Sequence, residues 1–345
     1  MRCLTLADAI AAKGGQCTFI CREHTGNLNE RIRSKGHTVQ SLPMGETSDA
    51  DLAHSAWLGT TQGRDAQACA LILAGLKPDW LVVDHYALDS RWEFALSEYC
   101  AKVMVIDDLA DRSHYCRVLL DQTLGRSADD YRSLVPTDCT LLCGSNYALL
   151  RPEFAALRTY SLQRRAQPKL KNLLITMGGV DKDNVTAKVL NVLRANPIPV
   201  HCKITVVMGP TSPWLSDVKE KARAMPLPTT VLVNVDNMAQ LMADSDLAIG
   251  AAGGSSWERC CLGLPTIMLM VADNQRDVAQ ALEHSGSVKL LNLSQNTTTQ
   301  LRDLLFSLID DPVQLLNMIN CAANIVDGSG VDIVVHQMEA YGVSI

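Results

Sequence analysis

The stretch SDLAIGAAGGSSWERCCLGLPTIMLMVADNQ, residues 245–275, holds the densest set of chemically useful residues in the chain. Its apolar run to Ile249 reads as a strand, Gly250, Gly253 and Gly254 allow a tight turn, and Ser255 and Ser256 open a helix with Glu258 in its first turn. Glycines beside a helix N-terminus leave N–H groups free for an anion. The helix dipole adds about 0.3–1 kcal/mol toward a phosphate. Glu258 can accept two hydrogen bonds from a ribose diol. The same spacing also fits a structural alternative, a capping box from Ser255 to Glu258.

A second strand–glycine turn, MGGVDKDN (177–184), offers Gly178 and Gly179, with Asp183 or Asn184 as the cap of the next helix. A double glycine after a strand is often a bare turn. In parallel sheets, however, ligands bind at the C-terminal ends of the strands, where both turns fall. VVDHY sets Asp84, His85 and Tyr86 at another strand end. His85 titrates near neutrality and suits general-base work, or it caps its own turn. Asp107 and Asp108 are a carboxylate pair that reads more readily as helix caps than as magnesium ligands. No metal or cofactor is expected.

Helix and strand patterns alternate along the whole chain. Short runs rich in Val and Ile, such as 79–86 and 101–109, read as buried strands. Residues 155–170, AALRTYSLQRRAQPKL, read as a polar connector. Beyond them strand and helix patterns repeat five times, which predicts a parallel doubly wound sheet. The expected architecture is α/β: two Rossmann-like domains, 1–155 and 170–330, with a cleft between them and a C-terminal helix in 331–345 crossing back to the first domain. The first domain opens on a helix, so the strand expected mid-sheet is missing, and residues preceding Met1 are expected to supply it.

The 345 residues exceed what one core usually serves. A net charge of −6 argues against nucleic acid as a partner. Twelve cysteines without a CxxC pair read as free thiols in a reducing, cytoplasmic setting. No apolar run approaches the roughly 18 residues of a membrane span. A monomer is expected.

Together MRCLTLADA, VVDHY, IDDLADR, LLDQTLGR, CGSNYALLRPEF, MGGVDKDN and GGSSWERCCLGLP span nearly the whole chain. Their combination resembles the UDP-sugar hydrolases of pseudaminic acid biosynthesis, which are similar in fold to GT-B glycosyltransferases such as the MurG-like ones. The resemblance implies hydrolysis of UDP-2,4-diacetamido-2,4,6-trideoxy-β-L-altrose to UDP and free sugar, for a product used on flagellins and surface glycans. It implies that the diphosphate meets Gly253, Gly254, Ser255 and Ser256, that Glu258 takes the ribose, and that Val235 and Met238 lie near uracil. It implies that Tyr86, Asn274 and Gln275 meet the sugar, and that Tyr147 supports the site or the domain junction. Arg2 matches the arginine of a family G-x-G-H-x-x-R loop whose glycines and histidine, the family's base, are absent from this sequence, which leaves His85 as the substitute. Ile333 stands where relatives carry arginine. A GT-B glycosyltransferase, a non-catalytic UDP-sugar binder and an epimerase of the same two-domain type are the alternatives.

Overall fold

A computed structural model describes residues 1–45, 52–196, 198, 201–270, 275–292 and 297–342. The chain divides into two compact units, Met1–Leu149 with Ser329–Ile345, and Leu150–Gly328.

In the first unit, β1 (Thr18–Arg22) pairs in parallel with β2 (Thr38–Leu42). Separately, β3 (Trp80–Val83), β4 (Lys102–Ile106), β5 (Val118–Asp121) and β6 (Thr140–Cys143) form a four-stranded parallel sheet in that order. No described strand joins β1 to β3, so the described strands of this unit stand as two sheets in place of the one doubly wound sheet expected. Strand alternation puts Val103 and Val105 of β4 into one apolar cluster and Met104 and Ile106 into another, so this sheet is covered on both faces. On one face lie α3 (Gln62–Leu76) and α4 (Ser90–Leu96), through Leu73, Trp92 and Leu96. On the other lie Leu6 of α1 (Arg2–Ala12) and Val331, Val334, Val335 and Met338 of α13 (Gly330–Glu339). The C-terminal helix therefore belongs to the first unit. The short α2 (Asn29–Ser34) links β1 to β2.

The second unit holds six parallel strands in the order β12-β11-β10-β7-β8-β9. These are β7 (Asn172–Thr176), β8 (Lys203–Met208), β9 (Thr229–Val233), β10 (Leu247–Ala251), β11 (Thr266–Met270) and β12 (Val288–Asn292). From β7 the chain builds outward through β8 and β9, then crosses back to lay β10 on the other side of β7. The switch point of this sheet thus lies between β7 and β10, where doubly wound folds bind ligands. The helices are α6 (Val185–Ala195), α7 (Leu215–Arg223), α8 (Met238–Asp244), α9 (Ser255–Cys261), α10 (Arg276–His284), α11 (Thr297–Asp310) and α12 (Pro312–Ala323).

The expected connector at 155–170 is largely a helix, α5 (Pro152–Arg164), with proline in its first turn. Its polarity misled the reading because its arginines are spent inside the second unit. Arg158 donates to the carbonyls of Ala323 and Val326, at 2.7 and 3.0 Å, and also to that of Cys261. Arg165, just past the helix end, is 2% exposed and donates to the carbonyls of Met242, Ala243, Ser245 and Leu262. These are free carbonyls near the ends of α8 and α9, where a cation also meets the negative end of the dipole.

Candidate functional site: two glycine turns at the sheet switch point

The two glycine turns singled out in the sequence follow β7 and β10, the neighbours at the switch point. After β7, Gly178 takes φ +88° and Gly179 lies against Gly209 at the end of β8. A Cβ on Gly209 would stand 2.0 Å from the Gly179 carbonyl oxygen, so only glycine lets these turns pack together. The helix that follows is capped by Asp181, whose carboxylate accepts from the N–H groups of Val185 and Thr186 at 2.8 and 2.9 Å. Of the two expected cap residues, Asn184 takes the N-cap position in a left-handed backbone, but its side chain makes no capping bond and reaches Asp217 instead.

After β10, Gly254 is the N-cap residue of α9, and no side chain caps that helix. Ser255 and Ser256 are therefore not caps, and the Ser255–Glu258 capping box does not form. Ser256 is buried, and its Oγ accepts from Gly253 N–H at 3.3 Å, holding the turn from behind. Gly253, Gly254 and Ser255 are partly exposed, and nothing within 4 Å would meet a Cβ on Gly254. The N–H groups of Ser256 and Trp257 already donate to the carbonyls of Gly253 and Gly254, at 2.8 and 3.3 Å, so it is the N–H groups of Gly254 and Ser255 that keep their donors for an outside acceptor.

Glu258 faces outward one turn on, its side chain 22% exposed and 3.7 Å from Arg151. Burial pushes its carboxyl above the usual range, and the charges of Arg151 and Arg259 only partly offset that. Arg151 also pairs with Glu153 at 2.8 Å and lies over the Phe154 ring. Gln275, the N-cap residue of α10, brings its Nε2 to 3.9 Å of where a Gly253 Cβ would be, so its amide borders the turn. Asn274 lies outside the described residues. Val235 and Met238 are both half-buried, Val235 in the turn after β9 and Met238 opening α8, at the same end of the sheet.

The remaining candidates are in the first unit. Arg2 forks onto Asp84 at 2.7 and 3.1 Å and reaches Asp108 at 2.6 Å. Tyr86 donates its hydroxyl to Asp108 at 2.6 Å. Burial pushes the Asp84 carboxyl up, but Arg2 and the Cys3 thiol outweigh it and hold it below the usual range. Burial and Asp108 push the Tyr86 hydroxyl well above its usual pKa, so it stays protonated and offers a ligand its lone pairs. His85 does not have the free nitrogen a base needs. Its Nδ1 lone pair, the basic site of the neutral ring, accepts from Ala87 N–H at 3.0 Å, and burial lowers its pKa. Tyr147 lies in the 3-10 turn Ser145–Tyr147, and the backbone of Tyr147 and Ala148 presses on Gly330 at the start of α13.

Asp107 is a structural carboxylate. It is fully buried, accepts from Leu109 and Ala110 N–H and from Tyr131, and pairs with Arg112. Among the described residues no group of three or more His, Cys, Asp or Glu side chains could hold a metal. Among the described residues no helix is long and apolar enough to cross a membrane. Sequence reasoning missed Arg151, Asp108 as the partner of Arg2 and Tyr86, and Arg259, which lies wholly buried behind the second glycine turn. The available signal for Arg259 was an arginine between Trp257 and Cys260 with no acid three or four residues away on either side.

Residues 172–329 match the glycosyltransferase family 28 C-terminal domain. Over 211 residues the chain is 27% identical to the UDP-2,4-diacetamido-2,4,6-trideoxy-beta-L-altropyranose hydrolase of Campylobacter jejuni, covering 61% of this chain and 73% of that protein. It is 28% identical over 209 residues to the uncharacterized protein MJ1062 of Methanocaldococcus jannaschii, covering 59% of this chain but 43% of that protein, so the chain spans less than half of that relative's length. Among solved structures, MurG of Acinetobacter baumannii superposes with a TM-score of 0.69 at 15% identity, over 98% of this chain and 95% of that one. The UDP-GlcNAc 2-epimerase of Neisseria meningitidis, bound to UDP-GlcNAc, follows at 0.60 and 15%, over 98% and 97%. The fold is GT-B, and the chain is a relative of nucleotide-sugar enzymes built on that fold.

Proposed function

We propose that this protein binds a UDP-linked 2,4-diacetamido-2,4,6-trideoxy-L-altrose and hydrolyses it, by attack of water at the anomeric carbon, to UDP and the free sugar. The observation that carries the nucleotide part is the pair of glycine turns flanking the switch point, with uncapped amides at α9 and an outward carboxylate one turn beyond. In this reading the amides after Gly253 and Gly254, with the Ser255 hydroxyl, face the diphosphate, and Ser256 steadies the turn. Gly178 and Gly179 keep side chains out of the way. Glu258 takes the ribose diol, Val235 and Met238 flank the uracil, and Gln275 and Asn274 meet the sugar. In the first unit, Tyr86 and Arg2 are assigned to the sugar, and Tyr147 to support. The Campylobacter hydrolase, matched over 61% of this chain, supports the choice of substrate and of water as acceptor.

UDP is a good leaving group, so the chief requirement is to stabilise charge growing on the diphosphate. Fixed amide donors do this without reorganising. Tyr86, held protonated by Asp108, contributes by accepting from a sugar hydroxyl rather than by taking a proton from water. The protein acts in the cytoplasm as a monomer.

A second reading, transfer of the sugar to an acceptor hydroxyl, is favoured by the family 28 match and the likeness to MurG. Incubation with the UDP-sugar alone separates the two. Hydrolysis releases UDP and free sugar in equal amounts without any acceptor. UDP release only on adding an acceptor alcohol would establish transfer, and no release under either condition would end both.

A further inference from the structure

Arg259 is one of two wholly buried arginines in the second unit. It is 1% exposed, and among the described residues no carboxylate lies within ion-pairing distance of it. Its contacts are the Ala251 carbonyl at 2.9 Å and the hydroxyls of Ser256 and Ser255 at 3.1 and 3.2 Å. Its Nε has no partner. Arg165 is a control within the same unit. It is equally buried, but its guanidinium is surrounded by the carbonyls of Met242, Ala243, Ser245 and Leu262. Burial pushes the Arg259 guanidinium down to about 10, the charge of Glu258 offsetting this only in part, which still leaves it charged at neutrality.

Such a charge is costly, and its position says what offsets the cost. A Cβ on Gly250 would meet Arg259 Nη1 at 2.8 Å and the Thr176 carbonyl oxygen at 3.0 Å. The guanidinium therefore lies against the ends of both β10 and β7, under the two glycine turns, with two of its three contacts on the serines of one turn. Gly250 is the residue that leaves room for it.

We infer that Arg259 is a positioning residue whose buried positive charge is neutralised by the diphosphate of a bound nucleotide, acting through the turn rather than by touching the ligand. This rests on the nucleotide reading above. A bound diphosphate completes the counter-charge that Glu258 gives only in part, so the charge adds to the amide donors when a dianionic group is present and contributes little to a neutral one.

The test compares UDP with uridine, by titration calorimetry, on wild type, Arg259→Gln and Arg259→Lys. The expected result is a loss of about 30-fold or more in UDP affinity for Arg259→Gln, with uridine affinity unchanged within about 2-fold. Arg259→Lys keeps the charge but not the fork, and is expected to retain the wild-type preference for UDP over uridine within about 5-fold. An unchanged preference in Arg259→Gln would overturn the inference. Should Arg259→Gln not fold, loss of the preference in a folded Arg259→Lys would overturn it as well, by showing that fork geometry matters and charge does not. If wild type binds UDP no better than uridine, the nucleotide reading itself falls, an outcome distinct from the others.

Discussion

At the residue scale the function turns on Glu258, a carboxylate that burial holds above its usual pKa while it still reaches solvent. Hydrogen bonds to a charged group are worth about 1.5–3 kcal/mol. Glu258→Ala is therefore expected to weaken UDP about 10- to 100-fold, measured by calorimetry, and to remove discrimination between UDP and its 2′-deoxy analogue. The diol requires an ionised acceptor. Because the carboxyl is raised, UDP affinity is expected to fall on acidification at a higher pH than an ordinary glutamate would give. That limb should vanish in Glu258→Gln, while an unchanged pH profile in this variant would place the titration elsewhere.

At the scale of elements, stability and binding share the same close contacts. Gly209→Ala sets a methyl group 2.0 Å from the Gly179 carbonyl, which cannot be met without moving the β7 turn. Overpacking costs about 1–3 kcal/mol, so a lower melting temperature together with weaker UDP binding is expected. Arg165→Leu should affect stability alone. It removes the charged donor shared by the carbonyls of Met242, Ser245 and Leu262, a loss of about 1.5–3 kcal/mol measurable by thermal denaturation. Arg165 and Arg259 are both buried arginines, yet only the first has carbonyls enough to be purely structural.

At the scale of the molecule, the ion-paired carboxylates of the first unit set its acid limit. Asp107 is held low although burial opposes it, because Arg112, the Ala110 N–H, His114 and Tyr131 favour its charge, and Asp84 is held low by Arg2. A lowered folded pKa stabilises above the unfolded value, about 3.9, and that contribution is lost as pH falls through the folded value. Asp121, raised chiefly by burial, acts in the opposite sense and softens the fall. The calorimetric transition of the first unit is expected to drop below about pH 4, and Asp107→Asn should lower it at neutrality while flattening its acid dependence.

The sequence by itself determined the α/β class, most strands of both units and the two glycine turns, because alternation of short apolar runs and glycines is local information. It misread α5, since a helix that spends its arginines on distant carbonyls looks polar along the chain. It named Glu258 and Tyr86 but neither Arg151 nor the part Asp108 plays as partner of Arg2 and Tyr86, because ion pairs and hydrogen bonds link residues far apart in number. Only the tertiary structure decided that the Asp181 carboxylate, and not the Asn184 side chain, takes the first amides of α6, that His85 commits its Nδ1 to its own turn, and that β7 and β10 stand side by side. That last pairing brings two turns some seventy residues apart to one edge and encloses Arg259 beneath them, and strand order of this kind is set by how helices cover a sheet, not by any local pattern.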